Sequence, residues 1–316
     1  MNVVILGWST ITNGDISADY FKKFGDLKVY DVLPEDEVCD VVKDAEAILV
    51  NRVNISKKVI LSAKNLKYIG SFATGYNNID MVTAREQGVT VTNVPGYSTE
   101  AVATHTFAFL LALCLKLVDY DNHVKSGGWS FAPGADCFPF ETHELSGKTL
   151  GIFGFGNIGK RVAAMANAFG MRVIFYSRKK YESDCATQVT FDELLSESDF
   201  LTLHAPLTDE TRKIFGANEF AKMKKTAYFI NTARGGLMDE DALANALNSG
   251  VIAGAATDVT TIEPIPHNSL LFTAKNCIFT PHVAWGPTET RNRLVTFGAK
   301  NLECFINKKP INVVEA

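Results

Sequence analysis

No CxxC pair and no Cys/His cluster occurs in this chain. Its six cysteines stand far apart, at positions 39, 114, 137, 185, 277 and 304. That spacing fits reduced, inert thiols of a cytoplasmic protein better than a disulfide framework. No metal-ligand cluster appears either, so no metal is expected. Neither sign of charge dominates: 31 basic residues face 35 acidic ones, for a net charge of −4. Nucleic acid therefore has no basic footprint to bind, and an acidic membrane has nothing to dock against. Long apolar runs are missing too. The longest, residues 107–115, is far short of the roughly 20 residues that span a bilayer. No basic segment precedes Asn2-Val3-Val4-Ile5-Leu6-Gly7, so a signal peptide is not expected. Tandem repeats and low-complexity segments are also absent.

What the chain does have is ordinary globular composition: 316 residues, 47% apolar and 21% charged. At roughly 150 residues per domain this suggests two domains. Short apolar runs alternate with helical patterns, which predicts α/β layers around parallel sheets. The first series of strands is read at 3–6, 28–30, 47–50, 68–71 and 90–92. Asp80 reads as the cap of a helix that Gly88 stops. A long apolar helix is expected over 99–124, buried on more than one face and suited to docking on a second subunit. Residues 126–142, rich in Gly, Pro and Phe, read as an ordered arm. A second series of strands is read at 149–153, 172–176, 200–203, 227–230, 253–257 and 277–280, with a last helix over 288–306.

Gly154-Phe155-Gly156-Asn157-Ile158-Gly159 matches GxGxxG, between a strand and a helix predicted over 158–169. That context makes the motif specific for a dinucleotide. Gly154 permits the tight turn, Gly156 lets backbone approach a pyrophosphate, and Gly159 lets helix and strand pack. The helix N-terminus offers N–H groups and partial positive charge. The next strand ends in Tyr176-Ser177-Arg178-Lys179-Lys180, without the acid that commonly accepts from the ribose of NAD. Ser177, Arg178 and Lys179 suit a 2′-phosphate instead, so NADP is favoured over NAD.

Arg234, Glu263 and His282 each follow a predicted strand of the second series. Ligands of open parallel sheets bind beyond the C-terminal strand ends, so the three are expected at one crevice beside the nicotinamide. Reduction of a 2-oxo acid needs such a set: an Arg fork for the carboxylate, a His to deliver a proton, and a carboxylate to keep that His charged.

In these motifs the chain resembles the D-2-hydroxyacid dehydrogenase family, over nearly its whole length. The pieces that carry the resemblance are Ala73-Thr74-Gly75-Tyr76-Asn77-Asn78-Ile79-Asp80, the Gly154 loop, His204-Ala205-Pro206-Leu207-Thr208, the Arg234 segment, Asp258 to Pro264, and Pro281-His282. Within the family it is most similar to the glycerate dehydrogenases, also called hydroxypyruvate reductases, through the segment from Ala73 to Asn78, Asn276-Cys277 and His282-Val283-Ala284-Trp285. The resemblance implies two Rossmann-like or flavodoxin-like domains: a discontinuous substrate domain of residues 1–98 plus 288–316, and a cofactor domain of residues 99–287. It also implies a homodimer built around the long helix. It assigns Arg234 to the substrate carboxylate and carbonyl oxygen, His282 to acid/base work, and Glu263 to pairing with His282. Asp258 would contact the carboxamide side of the nicotinamide. Backbone N–H groups of Thr74 and Gly75 would hold the substrate carboxylate. Thr74, Asn157, Ile158, Ala205, Pro206, Thr232 and Ala233 would line the dinucleotide. Trp285 stands where many relatives carry a small residue, which favours a small substrate.

The expected reaction is reduction of hydroxypyruvate to D-glycerate, with glyoxylate as a second substrate. Within the class, D-lactate and 3-phosphoglycerate dehydrogenases are alternatives, the latter weakened because no regulatory tail follows Pro287. A formate dehydrogenase would carry glutamine at Glu263. From another class, a nucleotide-sensing corepressor keeps the same trio. The acidic balance, the short chain and the lack of disordered tails speak against it. His204 reads as structural or as lining the cofactor site, and His105 as interfacial packing. Trp129, Phe131, Phe138 and Phe140 read as core or dimer contacts before ligands, with the alternative that one of them reaches a partner's active site.

Overall fold

The structure, a computed structural model, describes residues 1–131 and 138–315. Cys137 and the side chain of Phe131, both named above, lie outside the described residues. The chain forms two units, one of residues 1–98 and 285–316 and one of residues 99–284.

In the first unit, β1 (Asn2–Leu6), β2 (Asp26–Tyr30), β3 (Ala47–Val50), β4 (Tyr68–Ser71) and β5 (Thr90–Thr92) make one parallel sheet in the order β2-β1-β3-β4-β5. That order is flavodoxin-like. Central strands of such a sheet are covered on both faces and so read as unbroken apolar runs. Val3 and Ile5 face one core layer, while Val4 and Leu6 face the other. Helices α1 (Glu35–Val41), α2 (Lys57–Ser62) and α3 (Met81–Glu86) supply the second layer. Asp80 caps α3, its carboxylate accepting the Thr83 N–H at 2.9 Å. The C-terminal helix Thr288–Ile306 covers the first layer with Leu294, Val295 and Leu302.

The second unit opens with α4 (Thr99–Leu115) and α5 (Leu117–Lys125), where one long helix was expected. Lys116 sits between them in left-handed conformation, φ 52°, and the axis bends by 57°. The cause is burial. Side chains such as Val102, Phe107, Leu110 and Leu113 are buried along α4, whereas no residue of α5 is. The chain turns out of the core at Lys116 and runs on along the surface. Among the described residues no single helix is long and apolar enough to cross a membrane.

After the short helix α6 (Gly128–Phe131) come β6 (Thr149–Phe153), α7 (Asn157–Ala168), β7 (Arg172–Tyr176), the two-residue β8 (Thr187–Gln188), α8 (Phe191–Glu197), β9 (Phe200–Leu203), α9 (Ala217–Lys222), β10 (Tyr228–Asn231), α10 (Glu240–Asn248), β11 (Gly254–Thr257) and β12 (Cys277–Phe279). Their strands form a parallel sheet in the order β12-β11-β10-β9-β6-β7-β8. Helices α4 and α7 pack on one face and α8, α9 and α10 on the other. The strand order reverses between β6 and β9, the place where doubly wound sheets open a crevice. The last three strands shift by a residue from the sequence reading, within the ordinary scatter of strand ends.

Candidate functional site

The Gly154 loop leaves β6 at that reversal. Gly154 has φ +96°, and a Cβ there would lie 2.6 Å from the Ala205 nitrogen after β9. A Cβ at Gly159 would lie 2.3 Å from the Gly154 oxygen. Only glycine meets both conditions, and the cradle closes tightly because of it. Gly156 caps α7 without any side-chain bond. The first turn of a 12-residue helix, starting at Asn157 and Ile158, thus presents backbone N–H groups uncovered by a cap. These residues fit a pyrophosphate.

Beside β7, Arg178 pairs with Glu210. Gln188 braces the same loop, donating to the carbonyls of Ser177 and Lys179 and accepting the Tyr181 N–H. Glu210 and Gln188 were missed by sequence reasoning, since neither carries a motif and Glu210 lies 32 residues from Arg178. Lys179 is exposed. Past β9, Thr211 Oγ1 donates to the Pro206 carbonyl at 2.8 Å.

His204, just before Ala205, has both ring nitrogens buried with no hydrogen-bond partner among the described residues. Burial pushes its pKa down to about 3, so the ring is neutral at working pH. That excludes acid catalysis by His204 near neutrality.

Past β10, Asn231 organises the turn that carries Arg234. Its side chain donates to the Arg234 carbonyl at 2.9 Å and accepts the Ala233 N–H at 3.0 Å. The half-buried Arg234 guanidinium donates to the Ala233 carbonyl at 2.7 Å. Thr232 is 8% exposed, and its hydroxyl meets that of Thr106 on α4 at 3.0 Å.

Past β11 and β12 the chain brings together two sequence-predicted residues. His282 Nδ1 is 2.6 Å from Glu263 Oε2, and Glu263 Oε1 accepts the Thr260 N–H at 3.3 Å. Asp258 is 1% exposed. Its carboxylate accepts from the Thr280 hydroxyl and from the N–H groups of Val283 and Ala284. His282 itself has φ 56°, a left-handed conformation that non-glycine residues adopt only when their surroundings impose it. On α4, His105 Nε2 meets Thr280 Oγ1 at 3.0 Å.

Thr74, Gly75 and Trp285 belong to the first unit. The Thr74 hydroxyl donates to the Val94 carbonyl at 3.1 Å, and the Gly75 carbonyl accepts from Ser71. Trp285 meets Tyr97 edge to face. Of the arm residues, Trp129 and Phe138 are exposed, while Phe140 packs edge-on against Tyr120. Described cysteines carry no disulfide, and burial holds the Cys277 thiol up at about 12, which makes it inert. No cluster of metal ligands is found among the described residues.

Arg234, Asp258, Glu263, His282 and the Gly154 loop thus all follow C-terminal strand ends of one parallel sheet. Such an edge can hold a dinucleotide, a substrate anion and a proton donor together. Comparison with known proteins agrees with that chemistry. The family model for "D-isomer specific 2-hydroxyacid dehydrogenase, NAD binding domain" matches residues 107–284. The chain is 37% identical over 320 residues to a hydroxypyruvate reductase of Blautia hydrogenotrophica, covering 99% of each. It is 41% identical over 288 residues to a glyoxylate reductase of Thermococcus litoralis, covering 89% of this chain and 87% of that one. Among solved structures, an acyclic imino acid reductase in complex with NADPH and D-Arg aligns over 99% of this chain and 100% of that one, with TM-score 0.89 and 31% identity.

Proposed function

The chain belongs to the D-isomer specific 2-hydroxyacid dehydrogenase family, and from that premise we propose that it reduces hydroxypyruvate to D-glycerate, accepts glyoxylate as a second substrate, and prefers NADPH. The single observation that carries the reading is the 2.6 Å pair of His282 Nδ1 and Glu263 Oε2, on the sheet edge that also carries the Gly154 loop and Arg234.

When bound, the nicotinamide supplies the hydride. Arg234 binds the substrate carboxylate with its planar fork and polarises the carbonyl oxygen. With Nδ1 committed to Glu263, the proton that reaches the carbonyl oxygen passes through Nε2 of His282. Glu263 offsets the positive charge of the protonated ring and fixes its orientation. Asp258 holds the backbone after His282, and three of its roughly four lone-pair directions are filled, which leaves one for a carboxamide N–H.

Hydroxypyruvate and glyoxylate are favoured because the curated relatives above bear those names and cover nearly the whole chain. NADPH is favoured by Ser177, Arg178 and Lys179 after β7 and by the NADPH complex of a structural neighbour. A homodimer is favoured by the apolar exposure of α5, and a cytoplasmic place by the unpaired thiols.

The test is steady-state turnover on a panel of 2-oxo acids, hydroxypyruvate, glyoxylate, pyruvate and 3-phosphohydroxypyruvate, with NADPH and NADH. Highest kcat/KM on hydroxypyruvate supports the reading. Highest kcat/KM on pyruvate replaces it with a D-lactate dehydrogenase, and no turnover on any of them points to a nucleotide-sensing binding protein.

A further inference from the structure

His105 lies on α4, and no step of the proposed reaction uses it. Its Nε2 is 3.0 Å from Thr280 Oγ1 and 3.8 Å from Asp258 Oδ1. Thr280 Oγ1 in turn donates to Asp258 Oδ1 at 2.5 Å. A hydroxyl has one proton. Because Thr280 gives it to the carboxylate, its contact with His105 needs Nε2–H as the donor. The relay therefore runs one way, from imidazole N–H through hydroxyl to a buried carboxylate.

The same carboxylate holds the catalytic loop. Asp258 Oδ1 accepts the Val283 N–H and Oδ2 the Ala284 N–H, both at 2.8 Å. These are the two residues that follow His282, whose backbone is held in left-handed conformation. Burial keeps His105 below its usual pKa although Asp258 pulls the other way, so the ring is a neutral donor. The Phe109 ring, edge-on at 4.6 Å, fixes its plane.

We propose that His105 is a positioning residue for His282: its N–H, passed on by Thr280, aims the Asp258 carboxylate, which clamps the backbone immediately after the catalytic histidine. This rests on the reading of His282 as the acid/base group. Neighbouring Thr106 grips Thr232 by a 3.0 Å contact between hydroxyls, so two successive residues of one buried helix hold the two loops that carry His282 and Arg234.

The experiment compares His105→Phe, His105→Gln, Thr280→Val and His282→Ala on hydroxypyruvate with NADPH. His105→Phe keeps a ring against Phe109 and removes the donor, and its kcat should fall about 10- to 100-fold, the usual effect of a small misplacement. The dissociation constant for NADPH, from fluorescence titration, should change far less than kcat, because the Gly154 cradle is untouched. His105→Gln restores an N–H and should recover most of kcat. Thr280→Val breaks the relay in the middle and should match His105→Phe, with no further loss in the double variant. This arm stands even where His105→Phe does not fold. Wild-type kcat in His105→Phe or in Thr280→Val overturns the proposal, as does His105→Gln no better than His105→Phe. With His282→Ala inactive, those outcomes sink only the role of His105; an active His282→Ala sinks the reading of His282 and this one with it.

Discussion

Glu263 and His282 stand 19 residues apart in the chain and 2.6 Å apart in space, carboxylate Oε2 to imidazole Nδ1. Glu263→Gln keeps an oxygen at that place and loses the charge. The protonated imidazole then lacks its counter-charge, so kcat for reduction should fall, by no more than the roughly 10²- to 10⁴-fold that a positioned acid supplies. The check is kcat for reduction in both proteins. An unchanged kcat means that the pair has no part in proton transfer.

His282→Ala should lose about 10²- to 10⁴-fold in kcat, the usual worth of a positioned acid. Cofactor affinity should hardly change, because the Gly154 cradle is built without this side chain. Near-normal turnover in a folded variant removes His282 from the mechanism.

Arg178 is exposed and paired with Glu210, a contact of the kind worth at most about 1 kcal/mol. A 2′-phosphate can take the guanidinium over at little cost. Such charge-assisted bonds contribute about 1.5–3 kcal/mol, or roughly 10- to 100-fold. Wild type should therefore have the higher kcat/KM with NADPH, and Ser177→Asp with Arg178→Ala should invert the order. Wild type preferring NADH, with Arg178→Ala indifferent, would leave the basic loop as mere solvated surface.

His204 makes acid destabilising. Unfolded, it titrates near 6.5; folded, burial holds it at about 3. Between those values the unfolded chain binds one more proton, so its share of stability is present above 6.5 and is lost as pH falls, at about 1.4 kcal/mol per pH unit. His204→Leu should flatten the pH dependence of urea unfolding between pH 6 and 4 by about one proton. Equal slopes in the two proteins would refute the buried neutral ring.

Leu115, Leu117, Val118 and Val124 are between 46% and 63% exposed. Exposed apolar side chains of this kind support the proposed homodimer. Light scattering at low micromolar concentration should give twice the 34.6 kDa chain mass, and Leu117→Asp with Val118→Lys should give monomer. A wild-type monomer refutes the dimer.

Where apolar runs are bounded by turns, the sequence was a sufficient guide. β3, β4, β5, β6, β7, β9 and the last helix, Thr288–Ile306, fall where the pattern puts them, and the turn at Gly154 follows from its glycines. The bend at Lys116 was not legible, because Leu115-Lys116-Leu117 holds neither Gly nor Pro and the cause is where the core ends. The Glu263–His282 pair was legible from chemistry that needs both groups. The link from His105 to Thr280 spans 175 residues, and nothing local to either residue announces it.

The first unit is assembled from two stretches separated by the whole of the second. During synthesis, Val3, Ile5, Leu49 and Tyr68 leave the ribosome long before Leu294, Val295 and Leu302, which share their core layer. The second unit, contiguous from 99 to 284, has all its parts first, and domains fold as their parts emerge. One face of the N-terminal sheet is left waiting for the last helix. The N-terminal sheet is therefore the part of the chain that is made first and completed last.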